Sequence, residues 1–247
     1  MNMLGIDIGG SGIKGAIVDT ESGEFASERL RIDTPQPATP AAVAAAVSEI
    51  AAYFQWTAAI GCAFPAVVQH GVTMTAANVD DEWIGTNARQ IFASQTGNQV
   101  IVLNDADAAG IAEMKFGAGN GQAGLVVILT LGTGVGSSLF IDGHLAPNTE
   151  FGHLVIRGKA AELRTSDRAR QAKGYSWKRW ARALSEHLQY IEFLMSPDLF
   201  IIGGGVSKKS QKFLPLIDCK AKIVPAQLRN RAGIVGAASA AADLTRV

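Results

Sequence analysis

Val100-Ile-Val-Leu-Asn-Asp-Ala-Asp-Ala-Ala-Gly110 decides how this chain is read: a short apolar run ends at Asn104-Asp105, and the residues through Met114 carry a helical pattern. An amide and a carboxylate therefore stand where a buried strand gives way to a helix. In an open α/β sheet, ligands bind beyond the carboxyl ends of the strands, so both polar groups are well placed for one. The competing reading is that Asp105 caps the helix and does nothing more. One glycine turn precedes this stretch, Asp7-Ile-Gly-Gly-Ser-Gly12, and another follows it, Leu131-Gly-Thr-Gly-Val-Gly136. Two such turns flanking a strand-end aspartate predict an α/β protein with two lobes that meet at an anionic ligand.

Composition narrows the class. The 247 residues are 48% hydrophobic, enough for a sizeable core, and their number suits two domains of about 100–150 residues. Lys+Arg and Asp+Glu both number 22, so the net charge is zero, which argues against bulk nucleic acid as the main partner. Cys62 and Cys219 stand far apart in the chain and make neither a zinc cluster nor a disulfide scaffold. No signal segment precedes Leu4-Gly-Ile-Asp7, and no run approaches the roughly 20 apolar residues that span a bilayer. A soluble cytoplasmic protein with no membrane or nucleic-acid partner is expected.

In chain order, Met3 to Asp19 reads as a hairpin and Phe25 to Ile32 as a further strand. Gly9, Gly10 and Gly12 are able to take positive φ and admit a phosphate to the backbone N–H groups, with Ser11 and Lys14 as further donors. Glycines are equally ordinary hairpin residues, so this turn alone is weak. Thr39-Pro40 opens an alanine-rich helix. The buried strand Ala58 to Phe64 ends at Phe64-Pro65, and His70-Gly71 is the tip of a small hairpin. Asn78 and Trp83 offer an amide and an apolar face suited to a sugar, although packing is the simpler role for Trp83.

The second half repeats strand, glycine turn, strand, with Leu125 to Leu131 the most apolar strand and Ser137 to Ile141 the return. His144 is expected in a loop. Glu150 and His153 lie close enough to converge on one polyol, and a metal half-site is the weaker reading because further ligands are missing. Residues 158–174 form a polar, basic segment. Trp177, Trp180, Leu184, Leu188 and Ile191 recur at helical spacing and mark a core or interface stripe. Gly203-Gly-Gly-Val-Ser207 joins a strand to an expected helix, where an N-terminus favours anions.

Taken together, Asp7-Ile-Gly-Gly-Ser-Gly-Ile-Lys14, Asn104-Asp105, Leu131-Gly-Thr-Gly134, Glu150-Phe-Gly-His153 and Gly203-Gly-Gly205 resemble the ROK family of sugar kinases. Ser196 to Lys209 and Arg229 to Ala238 resemble its polyphosphate glucokinase and polyphosphate/ATP glucomannokinase branch. The resemblance covers nearly the whole chain. It implies a two-domain actin-like ATPase (ribonuclease H-like) fold with an interdomain active-site cleft. The domains would be 1–108 and 109–247, the last helix packing back on the first. It implies glucose as acceptor, polyphosphate and/or ATP as donor, Mg²⁺ as cofactor and a homodimer.

The roles implied by the motifs are specific. Asp105 would be the base for the sugar's 6-hydroxyl, with Asn104 beside it; Glu150, His153 and Glu162 would bind sugar hydroxyls. Phe64, Pro65 and Asn78 would form the opposite wall. Asp7 would orient Mg²⁺ through water. Gly9, Gly10, Ser11, Lys14, Thr130, Gly132, Thr133 and Gly134 would handle phosphate, and Gly204 and Gly205 would lie near a nucleotide's base or ribose. Many relatives carry a cysteine-rich zinc motif after Glu-x-x-His. No cysteine stands between His153 and Cys219, so no structural zinc is expected, and packing and salt bridges must hold 161–173. Arg157, Lys159, Arg164, Arg168, Arg170 and Lys173, with Lys208 and Lys209, are either a polyphosphate track or a solvated basic face. The alternatives are a strictly ATP-dependent kinase of glucose, mannose or an N-acetylhexosamine, and a sugar-binding regulator without transfer.

Overall fold

A computed structural model describes residues 1–77 and 79–244, so Asn78 lies outside the described residues. The chain divides into two compact units, Met1–Ala112 with Arg231–Val247, and Glu113–Asn230.

In the first unit, strand β1 (Asn2–Gly9) pairs antiparallel with β2 (Gly12–Asp19) along its whole length, and β3 (Leu30–Ile32) adds to β2. The expected strand from Phe25 is shorter than its sequence suggested. Phe25 makes only an isolated bridge to Val18, and the Ser27 hydroxyl takes the Ile17 amide that a strand carbonyl would otherwise receive. Helix α1 (Pro40–Tyr53) starts with Thr39 as cap and proline in its first turn. Strand β4 (Ile60–Phe64), buried throughout, runs parallel to β1. The hairpin β5 (Val68–Gln69) and β6 (Val72–Thr73) turns at His70-Gly71, where both residues have positive φ. Helix α2 (Ala88–Thr96) leads to β7 (Val100–Asn104), parallel to β4, and then α3 (Asp105–Phe116). The sheet order is β3-β2-β1-β4-β7.

The second unit has β8 (Leu125–Leu131), β9 (Val135–Ile141) and β10 (His144–Ala146) as an antiparallel meander, so His144 stands on a strand and not in a loop. A small ribbon, β11 (Val155–Ile156) and β12 (Lys159–Ala160), precedes two short helices, α4 (Glu162–Thr165) and α5 (Asp167–Ala172). Helix α6 (Trp177–Met195) buries Trp180, Leu184, Leu188 and Ile191 within the unit, and Trp177 stacks on Phe213. Trp180 is core, and Trp177 packs half-buried against it. Strands β13 (Leu199–Gly203) and β14 (Lys222–Pro225) complete the order β10-β9-β8-β13-β14. Each sheet thus holds its strands in the order third, second, first, fourth, fifth, with the same directions, so the repeated hairpin legible in the sequence extends to five strands.

After Gly204 the backbone forms a 3-10 segment, Gly205–Lys212, broken at Lys209, in place of the expected α-helix. Both the amide and the hydroxyl of Ser207 bond to the Gly204 carbonyl, closing a tighter i to i+3 turn. The last helix, α7 (Ala232–Leu244), lies on β1 and β4 of the first unit. Small residues permit that approach: a Cβ on Gly61 would overlap the Ala237 backbone, and one on Gly236 the Ala108 backbone.

Candidate active site

In the first unit, the carboxyl ends of three neighbouring parallel strands carry the polar groups. Asp7 near the end of β1 faces Lys14 across the hairpin register, with Nζ 3.7 Å from Oδ2. Gly233, in the first turn of α7, lies against this carboxylate; a Cβ there would stand 3.0 Å from Asp7 Cγ. A helix N-terminus facing a carboxylate is a favourable pairing. Burial raises the pKa of Asp7, against the opposing charges of Lys14 and Arg29. The turn beyond is held by its carbonyls: Thr34 Oγ1 donates to Gly9 O at 2.5 Å and Arg31 Nη2 to Ser11 O at 2.9 Å. Gly9 and Gly12 do not use positive φ, contrary to expectation. A Cβ on Gly12 would meet the Arg31 guanidinium at 2.8 Å, the far end of a flexible side chain.

Two strands away, about 10 Å at the usual inter-strand spacing, β7 ends in Asn104. Its Oδ1 accepts from Ala106 N at 2.8 Å and Asp107 N at 3.1 Å, and its Nδ2 donates to Ala66 O at 3.0 Å. Asn104 is therefore the residue that caps α3 and also fixes the Pro65-Ala66 turn. This overturns the reading of Asp105 as the cap; Asp105 is the first residue of α3, with its surface exposed. Phe64 is 0% exposed, its ring 4.6 Å from Trp83 and 6.4 Å from Phe92, so only its backbone is left for a ligand. Trp83 is likewise core, its Nε1 donating to Ala38 O at 2.9 Å.

In the second unit, Glu150, His153 and Glu162 come together. His153 Nδ1 lies 4.0 Å from Glu150 Oε2, and its Nε2 lies 3.9 Å from Glu162 Oε1. His153 is exposed, whereas burial, opposed by His153 and reinforced by Glu162, raises the pKa of Glu150. Buried Ser137 on β9 clasps both sides of Glu150: it donates to Thr149 O at 2.7 Å and accepts from Phe151 N at 2.9 Å. Glu162 is placed by Val135 N, which donates to Oε2 at 3.2 Å, and Gly134 leaves room for its carboxylate. Behind them, fully buried His187 of α6 contacts Phe151 O at 2.9 Å and Thr165 Oγ1 at 3.2 Å, while Trp180 Nε1 donates to Thr165 O at 3.1 Å. Sequence reading missed Ser137 and His187. The signal for His187 was a histidine beside the apolar stripe of α6.

The glycine turns of this unit sit at the ends of β8 and β13. Gly132 has open space where a Cβ would stand, and Thr133 is exposed. Thr130 pairs in register with Gly203, and Gly204, at φ 80, packs against the Leu131 backbone. Several cations of the basic segment are paired, in part with α6. Arg157 and Arg164 both bond Glu186, at 2.5 and 2.7 Å, and hold that carboxylate below its ordinary pKa although burial raises it. Arg170 pairs with Asp167 at 2.9 Å and covers the Trp177 ring, and Lys173 donates to Leu163 O. These contacts hold 161–173, and among the described residues Lys159 and Arg168 of the segment form no ion pair.

A model of the ROK family matches residues 3–163. The chain belongs to the ROK family. Within the ROK family it is 51% identical over 244 residues to the polyphosphate glucokinase of Mycobacterium tuberculosis (strain ATCC 25618 / H37Rv), covering 98% of this chain and 92% of that one. The inorganic polyphosphate/ATP-glucomannokinase of Arthrobacter sp. strain KM superposes with a TM-score of 0.91 at 48% identity, covering 98% and 99% of the two chains. A ROK family glucokinase from Streptomyces griseus, solved with glucose and AMPPNP, gives 0.83 at 25% identity, covering 98% and 100%. This ROK-family chain accordingly has the two-domain, actin-like ATPase fold. No helix among its described residues is long and apolar enough to cross a membrane.

Proposed function

We propose that this chain is a glucokinase that transfers a phosphoryl group from inorganic polyphosphate or ATP to the 6-hydroxyl of glucose. The observation that carries this reading is the Glu150–His153–Glu162 set. Two carboxylates and an imidazole, with the nearest atoms about 4 Å apart, match the alternating donors and acceptors of adjacent sugar hydroxyls. The likeness to polyphosphate glucokinase and polyphosphate/ATP-glucomannokinase over nearly the whole chain supports the same acceptor and donors.

Phosphoryl transfer asks the protein for alignment and charge compensation more than for covalent chemistry. Asp105 holds the 6-hydroxyl and accepts its proton as the new P–O bond forms. A carboxylate is too weak a base to keep a free alkoxide, so proton transfer accompanies attack and does not precede it. Asn104, whose amide is committed to capping α3 and holding the Pro65 turn, positions Asp105. The backbone amides of Gly9, Gly10, Ser11, Thr133 and Gly134, with Lys14 and Thr130, face phosphate oxygens, while the Gly132 amide closes its own turn on the Gly134 carbonyl at 3.0 Å and Gly132 leaves the open space beside it. Gly204 and Gly205 flank the donor's far end.

Among the described residues no group of three or more His, Cys, Asp or Glu side chains is arranged to hold a metal. Asp7, a single carboxylate beside a phosphate turn, suits Mg²⁺, which takes one or two carboxylates and fills its shell with water and substrate phosphate. The ion would supply charge neutralisation on the transferring phosphoryl oxygens. The protein is further proposed to be a cytoplasmic homodimer; the exposed Tyr190, Phe193 and Leu194 of α6 offer an apolar surface for pairing.

The test is glucose phosphorylation by nucleotide-free protein with Mg²⁺, run with ATP and with long-chain polyphosphate, the product identified by position. Transfer to the 6-hydroxyl from either donor supports the reading. A folded protein that binds glucose but transfers from neither overturns it.

A further inference from the structure

We infer that a cavity beside the third glycine turn, lined by Ser207, Ser210, Lys222, Gln227 and Arg229, binds the outer phosphates of a polyphosphate donor. This rests on the proposed glucokinase reading and extends its donor site from the motif residues Ser207 and Arg229 to Ser210, Lys222 and Gln227, which no motif pointed to. The cavity lies wholly within the second unit and has a volume of about 570 Å³.

Its position follows from the sheet. Strands β8, β13 and β14 are parallel neighbours, and β8 ends at the Gly132 turn, β13 at the Gly204 turn and β14 at Pro225-Ala226. Gly204 packs on Leu131 from one side, and the place of a Cβ on Gly203 touches Ala226 on the other. A linear anion with its reacting end at Gly132 that crosses these strand ends arrives at the cavity after two inter-strand steps, about 10 Å. In the first unit, the equivalent fifth-strand end carries Asn104 and Asp105.

The lining is built for anions. Lys222 and Arg229 are exposed, and among the described residues neither forms an ion pair, unlike Arg157, Arg164 and Arg170 of the basic segment. Two hydroxyls and an amide stand with them, and no aromatic ring lines the cavity to stack a nucleotide base. The wall is held rigidly. Glu113, 2% exposed, accepts from Ala118 N at 3.0 Å, Gln227 N at 2.9 Å and Leu228 N at 2.7 Å, fixing the loop that presents Arg229. The polyphosphate track is thereby moved from residues 157–173 to the end of β14.

The test compares wild type with Lys222→Gln/Arg229→Gln and, as a charge-reversed check, Lys222→Glu. Two readouts are taken: KM for polyphosphates of increasing chain length, and direct calorimetric binding of long-chain polyphosphate without glucose. Loss of charge-assisted bonds predicts a roughly tenfold or greater rise in KM for long chains. The wild-type preference for long over short chains should disappear, and direct binding should weaken in parallel. Unchanged long-chain KM and unchanged binding overturn the inference. So does a rise in KM for ATP alone, which would make the cavity a nucleotide site. If wild type transfers from ATP only, the polyphosphate-donor reading fails by itself, and the binding arm still decides whether this cavity holds a polyanion.

Discussion

Nε2 of His187 donates to the carbonyl oxygen of Phe151 across 2.9 Å, which ties α6 to the turn bearing Glu150 and His153. A carbonyl only accepts, so the proton sits on Nε2; Nδ1 lies 3.2 Å from Thr165 Oγ1, whose own hydroxyl also reaches Ala161 O at 2.9 Å. Burial lowers the pKa of His187, which favours the neutral ring. The ring thus links the segment carrying Glu150 and His153 to the helix that starts at Glu162. His187→Phe keeps an aromatic ring but strands the Phe151 carbonyl, and should cost about 1–3 kcal/mol of stability. Glucose KM should rise more than kcat falls, and His187→Gln should recover part of that loss. Steady-state kinetics with a thermal melt checks it; a stability loss with unchanged glucose KM would reduce His187 to a packing residue.

Glu150 gives a pH test with a definite sign. Burial raises its pKa, His153 opposes and Glu162 adds to the rise. The ionised carboxylate is the form that accepts two sugar hydroxyls, so the acid limb of kcat/KM should lie above the ordinary glutamate range. Glu162→Gln removes one negative neighbour, makes ionisation of Glu150 easier and lowers its pKa. The acid limb of that variant should therefore move to lower pH, whatever its absolute rate. A limb that stays in place, or moves upward, contradicts the assignment.

Asp105 stands at the start of α3, and the capping bonds belong to Asn104. Asp105→Asn should therefore leave the Asn104 cap of the helix in place and remove the proton acceptor. A loss of about 10²–10⁴ in kcat is expected for a general base, with glucose binding largely retained. Rapid-quench turnover and glucose titration of the same preparation measure both. Near-normal turnover in a folded Asp105→Asn protein would end the base assignment.

The outline of both sheets was legible because each apolar strand stops at a polar or glycine turn, as at Leu131-Gly132 and Asn104-Asp105. What was not legible depended on competition between local partners. The Ser27 hydroxyl displaces strand pairing before β3, and Ser207 tightens an expected helix into a 3-10 turn. The capping role of Asn104 against Asp105 is a choice between adjacent carbonyl oxygens that no pattern distinguishes. The pairing of Arg157 and Arg164 with Glu186, more than 20 positions from either, is a long-range contact invisible to a charge count. Phe64 read as a wall for a ligand because its strand ends there, yet alternation on β4 sends the ring into the core.

Gly132 and Gly134 separate the two halves of the proposed chemistry within one turn. A Cβ on Gly132 meets open space, whereas one on Gly134 would stand 2.6 Å from Glu162 Oε2, the far end of a flexible side chain. Neither glycine uses positive φ, so alanine imposes no left-handed backbone strain at either position. Both variants should fold with melting temperatures close to wild type. Gly134→Ala must displace the Glu162 carboxylate from Val135 N, so its damage should appear in glucose KM. Gly132→Ala fills space through which a phosphate reaches the backbone amides, so its damage should appear in donor KM. Bisubstrate kinetics on the two single variants reads the split directly. Equal effects on both substrates, or the reverse assignment, would place the sugar and the donor differently around this turn.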